Sequence, residues 1–176
     1  MMIMRWFTVI SAALLLPQGV LAGPEDFHSD GLIKGYGRFA DVPTAKPLPA
    51  DTRFKFAIDV VDGGVTGEVN NRFKIAAGFI NLQHANGIPP ENVDIALVVH
   101  GTAHRDLLND DAYGGKNPNA ELLSILQGYN VKVLYCGQNA VARDISPDDL
   151  LPGVEMTHSA TTTHVLLQQQ GYALRP

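Results

Sequence analysis

Apolar and polar residues alternate with two different periods along most of the chain, and these periods predict an α/β fold. Some segments have the length and apolar content of strands, and others repeat apolar side chains at helical spacing. Strands and helices follow one another in turn, which favours a mostly parallel sheet with helices on both faces. The predicted strands are 53–60, 93–100, 131–135, 154–157 and 172–174, and the predicted helices are 68–85, 119–128, 138–143 and 159–170.

The N-terminal residues before this pattern predict two further segments. Arg5 precedes an apolar run over 6–16, and Val20-Leu21-Ala22 places small residues at a cleavage position, the pattern of a secretory signal peptide. The run is well short of the roughly 20 residues that a membrane-spanning helix needs. We therefore expect residues 1–22 to be removed, giving a periplasmic or secreted protein with no remaining membrane segment. Residues 23–50, rich in Pro and Gly, are predicted to form an extended arm, and residues 51–176 the α/β domain.

Charge and cysteine content narrow the function classes. Without residues 1–22 the chain keeps 154 of its 176 residues, and its 13 basic residues fall to 12 against 18 acidic ones. A formal charge of −6 argues against nucleic acid as a partner, because its phosphates are bound mainly by Lys and Arg. The single cysteine, Cys136, has no intramolecular partner. In an exported protein such a residue indicates a reactive thiol, an intermolecular disulfide or a small buried apolar side chain.

Cys136 is the leading candidate for chemistry because of its place along the chain. Ligands and catalysis gather at the carboxyl ends of parallel strands, here residues 59–64, 100–105 and 136–139. Cys136 ends a predicted strand, and Gly137, Gln138 and Asn139 open the next predicted helix. Backbone N–H groups in a first helical turn favour a thiolate, so these three residues are expected to stabilise it.

A histidine at the end of the central predicted strand is the second candidate. Parallel neighbours would bring His100 towards Cys136, where an imidazole could accept the thiol proton or stabilise the thiolate. His104, Arg105 and Arg143 could complete the rim of the same site. A partly buried, purely structural histidine is the alternative for His100, and the structural role is favoured for His104.

Two other kinds of site have weaker support in the sequence. His100 and His104 are four residues apart and could bind zinc or copper together with Cys136, but no carboxylate motif completes a familiar ligand pattern. The glycine-rich segment 62–67 lacks the spacing of a phosphate-binding loop and is interpreted as a strand-to-helix turn. No cofactor and no bound metal are therefore expected.

Several segments together resemble the DsrE/DsrF-like proteins of sulfur metabolism. They are 95–101, 131–137, 145–154 and 166–172, and the resemblance extends over about residues 53–172. It implies a three-layer α/β/α fold around a mostly parallel sheet of about five strands, and assembly into a homotrimer or homohexamer. In sulfur-relay members a cysteine carries sulfur as a persulfide, and by position Cys136 would be that carrier.

The expected export sets this chain apart from the well-studied, cytoplasmic relay members, so its sulfur donor and acceptor stay unidentified. The sequence hypothesis is a periplasmic, sulfurtransferase-like thiol protein. The alternatives are a non-enzymatic oligomeric binding module whose Cys136 is buried and inert, and a protein that binds metal through histidine and cysteine.

Overall fold

Five parallel strands form the centre of the molecule in a computed structural model that describes residues 23–175. The predicted signal peptide, residues 1–22, lies outside the described residues. The strand order across the sheet is β4-β3-β2-β1-β5, and every pairing is parallel. The predicted three-layer α/β/α class is confirmed. The strands are β1 Phe54–Val60, β2 Val93–Val99, β3 Lys132–Cys136, β4 Val154–Thr157 and β5 Ala173–Arg175.

Helices cover the sheet on both faces, as the direction of the chain requires. From β1 to β4 the chain steps one way across the sheet, and right-handed crossovers place the intervening helices on one face. The return from β4 to β5, which pairs with β1, places α5 on the other face. The helices are α1 Asn71–Ala85, α2 Asp110–Tyr113, α3 Ala120–Gly128, α4 Gly137–Arg143 and α5 Ala160–Gln169, with 3-10 helices at Pro24–Asp26, Pro90–Asn92, Gly101–Leu107 and Pro147–Asp149.

Alternation along each strand divides the buried residues into two apolar clusters. On β2, Ile95 and Leu97 belong to the larger cluster, which α1 and α3 cover, while Ala96 and Val98 face the smaller one beneath α5. These four side chains are fully buried, as a central strand with both faces covered requires. Cys136 belongs to the smaller cluster, on the α5 side of the sheet.

The Pro/Gly-rich segment 23–50 packs on the outside of α1. Its Ile33 is buried, and an antiparallel bridge between His28 and Phe39 closes the loop between them. Asn81 of α1, which is fully buried, accepts a hydrogen bond from the Ile33 N–H at 2.7 Å and donates to the carbonyls of Ile33, Tyr36 and Gly37. One side chain therefore satisfies four backbone groups of this segment.

The helix predicted over 68–85 begins slightly later than the sequence pattern indicates. Asn70 is the N-cap, and its side chain accepts a hydrogen bond from the Arg72 N–H at 2.8 Å, so the helix starts at Asn71. The polar stretch 101–116, between β2 and α3, contains the 3-10 helix Gly101–Leu107 and α2. Among residues 23–175, no helix has the length and apolar content needed to cross a membrane.

Candidate functional site

Cys136 lies where the sequence predicts, at the carboxyl end of β3. It is the last residue of the strand and the N-cap of α4, with extended backbone angles of φ −67° and ψ 112°. Its relative exposure is only 6%. The thiol therefore sits at the functional edge of the sheet but is largely covered within a single chain.

The three residues of the first turn of α4 have different surroundings. Gly137 lies so close to β4 that an added Cβ would stand 2.4 Å from the Thr157 carbonyl oxygen, so no other residue fits without displacing the strand end. The Asn139 side chain accepts a hydrogen bond from the Tyr135 hydroxyl at 3.1 Å. Gln138 is exposed. Backbone N–H groups of this turn lack partners inside the helix, and the Cys136 side chain makes no capping hydrogen bond to them in the structure.

Tyr135 reports on the electrostatic environment beside the cysteine. Its side chain is fully buried in the larger cluster, on the opposite face of β3 from Cys136. The pKa of the Tyr135 phenol is raised to about 12, mainly by burial and further by the negative charge of a Cys136 thiolate, while Arg143 partly offsets the rise. Arg143, the last residue of α4, thus acts on this region as a positive charge, although its own side chain is exposed.

His100 forms part of a cluster of three side chains that bridges the sheet and α5. Asp59 on β1 uses one oxygen, Oδ1, for two contacts: His100 Nε2 lies 2.9 Å away and His164 Nε2 of α5 also lies 2.9 Å away. All three side chains are half-buried, with side-chain exposures of 28% for Asp59, 29% for His100 and 15% for His164. We refer to these three residues as the His-Asp-His cluster.

The charge state of Asp59 defines the tautomers of the two imidazoles. Burial raises the pKa of the Asp59 carboxyl, but the hydrogen bonds from His164 and His100 outweigh burial and bring the pKa below its ordinary value. An ionised carboxylate only accepts hydrogen bonds, so both Nε2 atoms must carry the proton. In the neutral rings Nδ1 then holds the lone pair. The His164 Nδ1 is buried and has no hydrogen-bond partner among the described residues.

Strand register brings the His-Asp-His cluster and Cys136 to the same edge and the same face of the sheet. Val99 pairs with Tyr135, so continuing this register by one residue places His100 beside Cys136. Alternation along both strands directs the two side chains to the α5 side. The ring of His100 makes its hydrogen bond to Asp59, which leaves Nδ1 as the nitrogen available to a proton donor.

The residues predicted to form the rim of the Cys136 site do not lie together in the structure. The His104 ring bonds the Gly101 carbonyl oxygen at 3.0 Å inside the 3-10 helix Gly101–Leu107, while Arg105 is exposed beside a separate cavity. Within residues 23–175 no group of three or more His, Cys, Asp or Glu side chains is arranged to hold a metal ion. The metal site considered for His100, His104 and Cys136 is therefore not formed.

Asp59 and His164 are the two members of the cluster that the sequence prediction of site residues omitted. Asp59 did carry a signal, since it is an acidic residue near the end of a mostly apolar strand, within one of the three selected strand ends. His164 carried none. It lies in a helix 105 residues away from Asp59, and only the docking of α5 brings the two together.

Comparisons with known proteins agree with the fold. The model of the DsrE/DsrF-like family matches residues 59–174. A solved structure of a protein of unknown function from Methanobacterium thermoautotrophicum, MTH1491, is similar with 25% identity over 70% of this chain and 97% of that chain, at a TM-score of 0.50. The ychN protein from E. coli is similar with 23% identity over 69% of this chain and 97% of that chain, at a TM-score of 0.48. No curated protein matches the chain.

Proposed function

Because the chain belongs to the DsrE/DsrF-like family, we propose that Cys136 accepts sulfur as a persulfide and passes it to a partner. The family is associated with sulfur relay, and the chain contains one cysteine. The observation that carries the proposal is the position of that cysteine, at the carboxyl end of β3, inside the matched residues. This edge is where folds of this type carry out chemistry.

The transfer needs no external oxidant or reductant. The Cys136 thiolate attacks the outer sulfur of a donor persulfide, so a new S–S bond forms on Cys136 while the S–S bond of the donor breaks. The donor leaves as a thiolate and takes up a proton. An acceptor thiolate repeats the exchange in the second half of the cycle. The zero-valent sulfur atom moves from one thiol to the next, so the reaction involves no net oxidation or reduction of donor and acceptor together.

The His-Asp-His cluster supports the first step of this exchange. A thiol attacks only as the thiolate, so a base beside Cys136 raises the reactive fraction. Asp59 holds the His100 ring with its proton on Nε2, which presents Nδ1 as the base. Backbone N–H groups in the first turn of α4, over 137–139, are the further donors for the thiolate. Asp59 is thus a positioning residue, and His100 the general base.

Sulfur loading tests the proposal directly. Folded protein incubated with inorganic polysulfide is expected to gain one sulfur atom on Cys136, measured by intact mass, and Cys136→Ser is expected to gain none. A matched control is Cys136→Ser combined with Ser124→Cys, which moves the only thiol to an exposed position on α3. Loading of the wild type at least as fast as this exposed thiol supports a carrier. Failure of the folded wild type to load would refute it.

A second candidate, a binding module with an inert cysteine, is favoured by one observation. Cys136 is 6% exposed and packs in the apolar cluster beneath α5. The pH dependence of alkylation of the native protein separates the two functions. Rapid labelling that persists well below neutral pH would support the carrier, because activated cysteines titrate at roughly 3.5–7.5. Labelling that occurs only after unfolding would support the inert module.

We also propose that the protein acts outside the cytoplasm as a homotrimer or homohexamer. The support for export is the signal-like pattern of residues 1–22. The support for assembly is the family, together with apolar side chains on the outer surface, where Val141 of α4 is 82% exposed. The sulfur donor and acceptor would then be partners in the same compartment.

A further inference from the structure

A cavity of about 160 Å³ opens at the carboxyl ends of β1 and β2, and the persulfide chemistry does not use it. Gly63, Gly64 and Thr66 line one side, and Thr102, Arg105 and Asp106 line the other. The Gly63 N–H donates to Thr102 Oγ1 at 3.0 Å, which joins the two sides. We call this the β1-end cavity. It lies on the strand edge where folds of this type bind ligands, next to the point where the strand order reverses between β1 and β5.

A buried carboxylate forms one wall of the β1-end cavity. Asp106 is 5% exposed, and its Oδ2 accepts hydrogen bonds from the Gly64 N–H at 2.8 Å and the Asn70 side chain at 2.6 Å. No hydrogen bond to its Oδ1 is formed by the described residues, and the Asp106 side chain lines the cavity. Within residues 23–175 no cationic side chain pairs with Asp106. A buried anion of this kind favours a donor or a cation in the adjoining space.

A guanidinium forms the other wall of the β1-end cavity. Arg105 Cζ lies 5.7 Å from the centre of the Tyr113 ring, which also lines the cavity, so the cation is held over an aromatic face. Arg105 and Asp106 are neighbours in the chain, yet they do not form an ion pair with each other. The Arg105 guanidinium and the Asp106 carboxylate therefore both line the β1-end cavity without forming an ion pair.

We propose that the β1-end cavity binds a small zwitterion of the α-amino acid class. The ammonium group would donate to Asp106 Oδ1, and the carboxylate would accept from the Arg105 guanidinium. A simple anion fits less well, because the Asp106 carboxylate would repel it. The volume suits the size, since a protein cavity of about 150 Å³ holds benzene, which has six non-hydrogen atoms, and alanine has the same number. This function is independent of Cys136.

Three probes that share the Cα–Cβ skeleton of alanine, and differ in which charged groups it carries, test the proposal. Each is titrated into the purified protein, and binding is followed by amide resonances in NMR. L-alanine carries both charges, propionate lacks the ammonium group and ethylamine lacks the carboxylate. We expect L-alanine to shift the resonances of Gly63, Gly64 and Arg105 saturably. Each single-charge probe should bind at least roughly tenfold more weakly, since it loses one charge-assisted contact.

Variants then assign the two charges to their residues. Arg105→Gln should weaken L-alanine binding roughly tenfold or more, whereas Arg53→Gln, at an exposed arginine that precedes β1, should leave it unchanged. Asp106→Asn should remove the preference for L-alanine over propionate. If Asp106→Asn does not fold, the comparison of Arg105→Gln with Arg53→Gln still tests whether the cavity binds L-alanine. Absence of saturable shifts with L-alanine, or propionate binding as tightly as L-alanine, would overturn the proposal. Cys136→Ser should bind L-alanine normally, so failure here is separate from failure of sulfur transfer.

Discussion

A half-buried carboxylate near the end of a strand has to be matched by hydrogen-bond donors, and at Asp59 two imidazoles supply them. Both donors reach the same oxygen, and they hold the pKa of the carboxyl below its ordinary value against the opposing effect of burial. A group whose pKa is lower in the folded chain stabilises the fold above its unfolded pKa. That stability is lost as the pH falls through the folded value.

The fall in the free energy of unfolding at low pH should therefore depend on Asp59. At neutral pH we expect Asp59→Asn to lower the free energy of unfolding by about 1–3 kcal/mol, because charge-assisted hydrogen bonds are lost. Below about pH 4, the range of an ordinary carboxyl, the wild type should lose this advantage and approach the variant. Thermal unfolding between neutral pH and pH 3 measures the difference.

Asp51→Asn serves as the control for this measurement, since Asp51 is exposed at the start of the domain. Its unfolding curve should run parallel to that of the wild type at every pH. Parallel curves for Asp59→Asn as well would show that the His-Asp-His cluster makes no pH-dependent contribution to stability.

At the scale of elements, the N-terminal arm depends on one side chain of α1. Asn81 is fully buried and bonds four backbone groups across separations of up to 48 residues. Backbone polar groups left without partners in a buried place cost about 1–3 kcal/mol each, so this contact is hard to replace. The adjoining glycines allow the close approach: Gly37 has φ +65°, and an added Cβ there would lie 2.1 Å from the Gly78 nitrogen.

Replacing this contact by an apolar side chain of similar size should release the arm. We expect Asn81→Leu to lower the free energy of unfolding by roughly 2–4 kcal/mol, because the Ile33 N–H and the three carbonyls lose their partner. Limited proteolysis should then cut within residues 28–39 while the sheet stays folded. Asn71→Leu, at an exposed position on the same helix, should resist cleavage like the wild type. Equal resistance in both variants would contradict the role of Asn81.

At the scale of the whole molecule, the proposed homo-oligomer concerns the exposed surface of the chain. Val141, Val165 and Leu166 are exposed at 82%, 48% and 49%, and the outer edges of β4 and β5 have no strand partner among the described residues. An open strand edge can pair with a further strand, and a contiguous exposed apolar patch marks a site of protein–protein contact. Family membership and these surfaces support the same proposal, a homo-oligomer.

Native mass spectrometry of protein recovered from a periplasmic fraction tests assembly and export together. We expect a chain that begins at Gly23, in a complex of three or six copies. Val141→Lys should shift the population towards the monomer, because it places a charge on the most exposed large apolar side chain of residues 23–175. Val42→Lys, on the arm, should not. A monomeric wild type would refute the assembly, and an N-terminus at Met1 would refute the cleavage.

Local pattern determined the elements of this protein. The alternation 53–60 and the apolar run 95–99 became β1 and β2, because period and length reflect burial of neighbouring side chains. The end of the apolar segment 131–135 placed Cys136 at the end of β3 for the same reason. Parallel order then placed His100 at the same edge as Cys136, as the sequence predicts. The elements themselves depend on residues that are close together in the chain, and the meeting of His100 and Cys136 follows from the parallel order of those elements.

Tertiary structure alone decided which side chains meet and which are covered. His164 reaches Asp59 across 105 residues, because the chain returns from β4 to β5 and lays α5 over the sheet. The same helix covers Cys136, and Arg105 and Asp106 face one cavity because the loop after β1 folds against the 3-10 helix after β2. None of these contacts has a local signal, since each depends on the register of distant strands and on how a helix packs across them.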